Sequence, residues 1–232
     1  DLRIIEDAAQ SFGASWNGQP IGQSFFEGRD FVSFSFHANK NITSGEGGAL
    51  VLADDADPAL CERLRLQGVQ RFPDGSMDVD VLGGKANLTD IAAAIGLGQL
   101  RRTREFTVRR RELARRYFAC LGHLPGCELP PEDFTNSNWH MFQILLPQGT
   151  NRAAFVTAMK ERHIGIGVHY PALHLFSLYR KQGFKPGDFP HAESVGERTV
   201  TLPLFPAMTD EDVERVCTAT REAIQSVRGG RP

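Results

Sequence analysis

The chain has 232 residues, enough to bury roughly 70% of the surface that the unfolded chain exposes, so one large domain or two smaller ones can form. Its 26 Lys and Arg against 28 Asp and Glu give a net charge of −2, which excludes the basic surface of a nucleic-acid-binding protein. No apolar run reaches the roughly 18 to 20 residues that span a bilayer, and the four scattered cysteines lack metal-site spacing. We expect a soluble, cytoplasmic protein with reduced thiols and no metal.

Three strands are predicted in the first 53 residues. The run LRIIED (2–7) is typical of a buried parallel strand, DFVSFSF (30–36) indicates a second strand, and GGALVLA (47–53) a third. Asn17 and Gly18 predict a two-residue turn between two short extended pieces. Lys40 therefore falls in the connection between the second and third strands.

Helices follow in the middle of the chain. The spacing of ALCERLRLQGV (59–69) predicts a helix that stops near Gly68, before a polar loop around Pro73-Asp74-Gly75. Residues 88–121 predict two helices in series, with Thr89 as N-cap and a break where Thr103 and Thr107 interrupt the apolar stripe. The run Arg109–Arg111 indicates a solvated helix face.

The last third predicts a second, smaller α+β domain. WHMFQILLP (139–147), IGIGVHYP (164–171) and RTVTLPLFP (198–206) are expected to be strands, and residues 151–163 a helix. A C-terminal helix should begin at a capping box, with Thr209 and Asp212 three residues apart. Since the Gly- and Pro-rich stretch 121–133 marks a junction, we expect domains 1–121 and 122–232.

Lys40 lies among residue types that suit pyridoxal phosphate (PLP). That cofactor needs a lysine amine for a Schiff base, a carboxylate for its pyridine nitrogen, and hydroxyl or N–H groups for its phosphate. Asp7 and Gln10 follow one predicted strand, and Ser35 ends another just before Lys40. Taken singly, each of these residues is more often an ordinary cap, strand or surface residue, but together they favour a cofactor site.

Six segments, in order, resemble the consecutive motifs of the DegT/StrS-type nucleotide-sugar aminotransferases. They are IIEDAAQSFGA, FSFHANKNITSGEGGALV, KANLTDIAAAIGLGQL, WHMFQILLP, ERHIGIGVHYPALH and TLPLFPAMTDEDV. The resemblance implies an α/β fold of the fold-type-I PLP-dependent aminotransferases, with residues 1–121 as part of the PLP-binding large domain. Within that family, SFHANKNIT and KANLTD look most similar to the aminotransferase that makes UDP-4-amino-4-deoxy-L-arabinose.

The resemblance also implies roles for individual residues. Lys40 would hold the cofactor covalently and move protons in catalysis, Asp7 would pair with the pyridine nitrogen, Gln10 would face the phenolic oxygen, and Ser35 would bind the phosphate. Lys85 and Asn87 would reach the phosphate site of the other subunit in a homodimer with shared active sites. His169 and Tyr170 would lie near the sugar-nucleotide pocket. The implied substrates are a nucleotide-linked keto-deoxysugar and an amino acid donor, L-glutamate by family habit, for polysaccharide or secondary-metabolite synthesis.

Two alternatives stay open at this point. The family's motifs begin well before the strand that carries Asp7, so we expect the N-terminal part of the family fold to be absent from this chain. The chain could then be a non-catalytic or regulatory homologue that binds a partner. Another fold-type-I reaction on a different amine is the second alternative.

Overall fold

The computed structural model describes residues 2–23, 31–53 and 55–229. The chain folds into two compact units. The first unit contains the residues up to Thr107 together with Thr135–Asn138, and the second contains Val108–Phe134 and the residues from Trp139 onward. The division into functional domains 1–121 and 122–232 stays a prediction.

The first unit is a mixture of short strands and helices. In chain order its elements are β1 (Ile5–Asp7), β2 (Ser15–Trp16), β3 (Gln19–Pro20), β4 (Phe31–Ser35), β5 (Gly48–Val51), α1 (Pro58–Arg65), β6 (Val69–Arg71), β7 (Met77–Val79), α2 (Asp90–Arg101) and the first residues of α3 (Thr103–Leu121). The three strands predicted before residue 54 are confirmed, although Asp30, in the second of them, lies outside the described residues.

The sheet that carries the predicted site has the order β1, β4, β5. β4 pairs in parallel with β1, with Asp7 opposite Ser33, and antiparallel with β5, with Ser35 opposite Gly48. Because β1 and β4 run in the same direction, their carboxyl ends lie at one edge of the sheet. This edge brings Asp7 near Ser35, although 28 residues separate them in the sequence.

Two hairpins flank this sheet in the chain. The predicted turn is confirmed between β2 and β3, where Asn17 and Gly18 both have positive φ, 49° and 77°, as a type I′ turn requires. The predicted polar loop around Pro73-Asp74-Gly75 is confirmed, and it forms the tip of a hairpin, not predicted from the sequence, that pairs β6 with β7. All three residues of β7 are exposed, although Met77, Asp78 and Val79 alternate apolar and polar residues as a strand does.

The predicted pair of helices is confirmed, with one correction at the break. Thr89 caps α2, because its Oγ1 accepts a hydrogen bond from the Ala92 amide at 3.3 Å. The break falls at Arg102, and Thr107 lies inside α3, where its hydroxyl donates to the Thr103 carbonyl at 2.9 Å. A threonine that satisfies its hydroxyl within its own helix does not end that helix.

The second unit contains the remainder of α3 and the following elements: β8 (Phe142–Leu145), α4 (Arg152–Glu161), a 3₁₀ turn (Leu173–Leu175), α5 (Ser177–Arg180), α6 (Pro190–Arg198), β9 (Thr199–Leu202) and α7 (Asp210–Gly229). β8 and β9 pair antiparallel. The predicted strand 164–171 is wrong, because this stretch makes an isolated bridge at Gly167 to Thr201 instead of a continuous ladder. In the described part of the chain, no helix is both long and apolar enough to cross a membrane.

The second unit has a well-packed core between the β8–β9 pair and helices α3, α4 and α7. Tyr117, Phe142, Phe155 and Val213 are fully buried within it. The predicted capping box of α7 is confirmed: the Asp212 amide donates to Thr209 Oγ1 at 3.1 Å, and the Thr209 amide donates back to Asp212 Oδ2 at 3.0 Å.

The interpretation of Arg109–Arg111 as a solvated face is wrong for Arg110. Its side chain is only 5% exposed, and Nη1 donates to the carbonyl oxygens of Trp139, His140 and Leu204 at 3.3, 3.2 and 2.7 Å. Burial lowers the pKa of Arg110 to about 10, so the guanidinium stays charged at neutral pH. Arg110 therefore joins carbonyls from the segments before β8 and after β9, which no local sequence pattern brings together.

A second buried polar cluster organises the segment between the 3₁₀ turn and α6. His174 Nε2 lies 2.9 Å from Glu193 Oε1, and the same oxygen accepts from the amides of Gly187 at 2.8 Å and Phe189 at 3.4 Å. Partial burial opposes ionisation of Glu193, but these hydrogen bonds outweigh it and lower the pKa of the carboxyl below 4.5.

We expect Glu193→Gln to lower the melting temperature at about pH 6 and to matter progressively less below about pH 4.5. The sign follows from the direction of the pKa shift: ionised Glu193 stabilises the fold above its unfolded pKa, and this contribution is lost as the pH falls through the lower folded pKa. Glutamine keeps the shape and an acceptor oxygen, so the comparison isolates the charge. Thermal melts of both proteins between about pH 3 and 7 measure the difference, and a difference independent of pH contradicts the prediction.

Candidate active site

Asp7 is the last residue of β1 and is held at the shared edge of β1 and β4. Its Oδ1 accepts a hydrogen bond from the Ala9 amide at 3.0 Å, which fixes the carboxylate where the strand ends. The residue is exposed, so its second carboxylate oxygen can take a ligand. Ala8 is fully buried and its amide donates to the Ser33 carbonyl at 2.9 Å, which ties the residue after Asp7 to β4.

Ser35 ends β4 at the same edge. Its Oγ accepts from the His37 amide at 3.3 Å, and its hydroxyl hydrogen stays able to donate to an anion. Asp7 lies opposite Ser33, two residues before Ser35, so strand geometry places the Cα atoms of Asp7 and Ser35 roughly 8 Å apart. A small aromatic ring with a phosphate arm can reach from one residue to the other.

Lys40 lies in a closed loop, residues 36–47, which we call the Lys40 loop. The Phe36 amide donates to the Gly47 carbonyl at 2.8 Å and closes it, and the Ser44 amide donates to the Phe36 carbonyl at 3.0 Å. Within the loop, the Lys40 amide donates to the His37 carbonyl at 3.0 Å, and Lys40 is partly buried. Its amine is therefore carried on an ordered backbone.

Gln10 follows Asp7 by three residues, and its side chain is exposed. The chain turns here, since the Ser11 amide donates to the Ala8 carbonyl at 2.9 Å. The next residue, Phe12, packs its ring edge to face against Phe34 and Phe36, with centroids 5.2 and 5.8 Å apart. The segment after Asp7 is thus packed against the strand that leads to Lys40.

Asn87 lines a cavity beside the far end of the Lys40 loop, whereas Lys85 is an exposed residue whose backbone bridges to Leu66. Asn87 and the loop residues Ser44, Glu46 and Gly47 line one cavity of about 950 Å³. Contact here is close, since a Cβ on Gly47 would lie 2.8 Å from Leu88 Cδ1. The first unit therefore brings Leu88, the neighbour of Asn87, against the Lys40 loop.

His169 and Tyr170 belong to the second unit. His169 Nδ1 lies 2.8 Å from Thr201 Oγ1, and its carbonyl accepts from Gln143 Nε2 and from Thr199 Oγ1, so β8 and β9 both fix this residue. Tyr170 is 58% exposed, with its ring edge to face against that of His169 at 5.0 Å.

The groups at the edge of β1 and β4 fit PLP. Asp7 could supply a carboxylate for a protonated pyridine nitrogen, Ser35 a hydroxyl donor for a phosphate, and Lys40 an amine for an aldehyde. Sequence reasoning named these residues but missed Asn41 and Asn138, which hold the surrounding segments. Their partners lie about a hundred residues away in the chain, so no local pattern could have identified them.

Comparison with known proteins agrees with this geometry. A model of the DegT/DnrJ/EryC1/StrS aminotransferase family matches residues 1–221. The spore coat polysaccharide biosynthesis protein SpsC of Bacillus subtilis is 34% identical over 97% of this chain and 60% of its own length.

Two solved structures have the same fold. Spr1654 of Streptococcus pneumoniae, assigned as a sugar aminotransferase and solved in its PLP form, is 27% identical with a TM-score of 0.84, over 96% of this chain and 58% of that one. Helicobacter pylori PseC, an aminotransferase involved in the biosynthesis of pseudoaminic acid, is 25% identical with a TM-score of 0.86, over 96% and 59%. The chain spans about 60% of the length of the curated relatives it matches.

Proposed function

This chain belongs to the DegT/DnrJ/EryC1/StrS aminotransferase family, and we propose that it catalyses the PLP-dependent transamination of a keto group on a sugar. The predicted fold class, α/β of the fold-type-I PLP-dependent aminotransferases, is confirmed by the solved sugar aminotransferases. The observation that carries the proposal is the shared edge of β1 and β4, where Asp7, Ser35 and the Lys40 loop meet.

Each residue in the proposed site has its own chemical role. When bound, PLP withdraws electrons and makes a proton on the adjoining substrate carbon removable. Lys40 would hold the cofactor covalently, and its amine would move that proton. Asp7 would pair with the ring nitrogen, Gln10 would face the phenolic oxygen, and Ser35 would donate to the phosphate.

The remaining residues extend the proposal to a dimer and a substrate pocket. Lys85 and Asn87 reach the phosphate site of a second copy in a homodimer with shared active sites. The exposure of Lys85 supports this role, since an exposed ammonium is available to a partner. His169 and Tyr170 bind the sugar nucleotide, and the exposed ring of Tyr170 suits stacking on a ligand.

We infer a nucleotide-linked keto-deoxysugar as acceptor and L-glutamate as amino donor, in the cytoplasm. The names of SpsC and PseC, which refer to polysaccharide and pseudoaminic acid biosynthesis, support a sugar product of this kind. The segments SFHANKNIT and KANLTD support the type that makes UDP-4-amino-4-deoxy-L-arabinose.

A non-catalytic role is the second candidate function. Leu2 and Ile5 are 90% and 74% exposed, and β1 lies at an edge of its sheet, so this edge offers an apolar surface to a partner. This candidate predicts that the chain binds another protein and leaves Lys40 unmodified.

Borohydride trapping separates the two candidates. The 232-residue chain is incubated with PLP and reduced, and the adduct is located by peptide mass spectrometry. A single stoichiometric adduct on Lys40 is expected, while diffuse labelling of many lysines, or none, contradicts a working site in this chain. Assays with L-glutamate and either keto-sugar nucleotides or simple keto acids then separate sugar transamination from another fold-type-I reaction.

Asp7→Asn is expected to lower the transamination rate about a hundredfold, because the neutral amide no longer holds a proton on the ring nitrogen. Asparagine can still accept the Ala9 amide through Oδ1, so the end of β1 should keep its shape. Asp74→Asn is the matched control: Asp74 accepts from the Ser76 amide in the same i to i+2 arrangement at 2.9 Å, but in the β6–β7 turn. Steady-state rates measure both variants, and equal losses in the two contradict the role of Asp7.

A further inference from the structure

A short stretch from the middle of the chain completes the first unit. Residues 135–138 belong to this unit although the residues on both sides belong to the second. The Ser15 amide donates to the Asn136 carbonyl at 3.0 Å, and the Ser15 hydroxyl lies 3.1 Å from Asn136 Oδ1. The stretch is thereby anchored at β2, beside the segment that follows Asp7.

Asn138 makes the central contacts of this stretch. Its side chain is 5% exposed, and Nδ2 donates to two carbonyl oxygens, that of Gln10 at 2.8 Å and that of Phe12 at 3.0 Å. Its own carbonyl accepts from Asn41 Nδ2 at 3.2 Å, and Asn41 is 9% exposed. One residue thus bonds to the segment after Asp7 and to the neighbour of Lys40.

These hydrogen bonds are costly to lose. A buried carbonyl without its partner forfeits hydration as well as the bond, so removing the side chain of Asn138 leaves the carbonyls of Gln10 and Phe12 in an unfavourable state. The bond from Asn41 goes to the backbone carbonyl of Asn138, which every substitution at this position keeps. The Lys40 loop and the segment after Asp7 would then lose this link, while the packing of Phe12 against Phe34 and Phe36 remains. A shift of about 1 Å between reacting groups is enough to cost a large part of a reaction rate.

We propose that Asn138 is a positioning residue: through Asn41 and the carbonyls of Gln10 and Phe12, it fixes the Lys40 loop relative to the segment that carries Asp7. It acts on the backbone around the site and not on the cofactor. The ordering of the loop stands on the geometry alone, while its effect on catalysis rests on the proposed function.

Hydrogen exchange of the unliganded chain tests the ordering directly. In Asn138→Ala, the amides of Phe36, Lys40 and Ser44, all hydrogen-bonded within the Lys40 loop, are expected to exchange at least about tenfold faster. The matched control is Asn151→Ala, which removes the N-cap bond from the Ala154 amide at 3.0 Å in the second unit. This control should leave exchange in the Lys40 loop unchanged.

If the amides of the Lys40 loop exchange at the same rate in Asn138→Ala as in the unsubstituted chain, the proposal is overturned. A uniform rise of the exchange rates in both units also overturns it, because such a rise indicates general destabilisation. If Asn138→Ala does not fold, the same exchange measurement on Asn41→Ala tests the proposal. This variant removes the bond from Asn41 to the Asn138 carbonyl and leaves the two bonds made by Asn138 Nδ2.

A second readout reports on the site itself. Reductive trapping of PLP on Lys40 is expected to be about tenfold slower in Asn138→Ala and Asn41→Ala than in the unsubstituted chain, and unchanged in Asn151→Ala. Equal trapping rates in all four proteins overturn the positioning role. If the unsubstituted chain itself traps no cofactor, the proposed function fails, and the exchange measurement still decides whether Asn138 orders the loop.

Discussion

Replacing Lys40 with arginine is expected to lower the transamination rate by at least about a thousandfold and to remove the trapped adduct from the Lys40 peptide. Arginine keeps the positive charge and most of the length, but its guanidinium stays protonated at neutral pH and cannot serve as a nucleophile or a base. The backbone hydrogen bonds of the Lys40 loop do not involve the side chain of Lys40, so the loop should persist.

The measurement combines steady-state rates with peptide mass spectrometry after reduction. Lys160→Arg is the matched control, because Lys160 is exposed in the last turn of α4 and has no part in the proposed site. It should trap the cofactor on Lys40 at full yield. A Lys40→Arg protein that keeps more than about a tenth of the rate contradicts the assignment.

Phe142→Ala is expected to destabilise the second unit by about 3 to 5 kcal/mol. Phe142 is fully buried in β8, and its ring lies 4.7 Å from that of Tyr117, 5.2 Å from Phe118 and 6.0 Å from Trp139, measured between centroids. Alanine leaves a cavity in the middle of this aromatic cluster, and the surrounding rings belong to elements that cannot all move inward.

Urea unfolding followed by tryptophan fluorescence measures this loss, because Trp139 is 3% exposed and lies within the cluster. The same substitution at Phe205, which is 51% exposed in the same unit, is the control and should cost less than about 1 kcal/mol. A loss at Phe142 no larger than that at Phe205 shows that the cluster has relaxed around the cavity or contributes little.

Much of the site's framework follows from local sequence. The apolar runs that become β1, β4 and β5 have strand patterning, and the polar residues that follow them fall at strand ends, so Asp7, Ser35 and Lys40 could be predicted together. The caps of α2 and α7 were predictable for the same reason, since a capping side chain and its amide partner are three residues apart.

Other features depend on contacts that no local pattern contains. Arg110 is buried because carbonyls from two distant segments, 139–140 and 204, meet around its side chain. From the sequence alone it is one of three adjacent arginines. The contacts of Asn138 could not be predicted either, since its partner Gln10 is 128 residues away in the chain. The β6–β7 hairpin, by contrast, was missed although a local signal exists, because Met77, Asp78 and Val79 alternate apolar and polar residues.

The insertion of residues 135–138 into the first unit has a consequence for how the protein is made. Chain synthesis proceeds from the N-terminus, and long-range contacts form only after both partners are available. Asp7 and Lys40 are translated long before Asn138. The hydrogen bonds of Asn138 to Gln10, Phe12 and Asn41 can therefore form only after about a hundred further residues have been translated. The order in which the chain emerges therefore makes the candidate active site one of the last parts of the first unit to acquire its final structure.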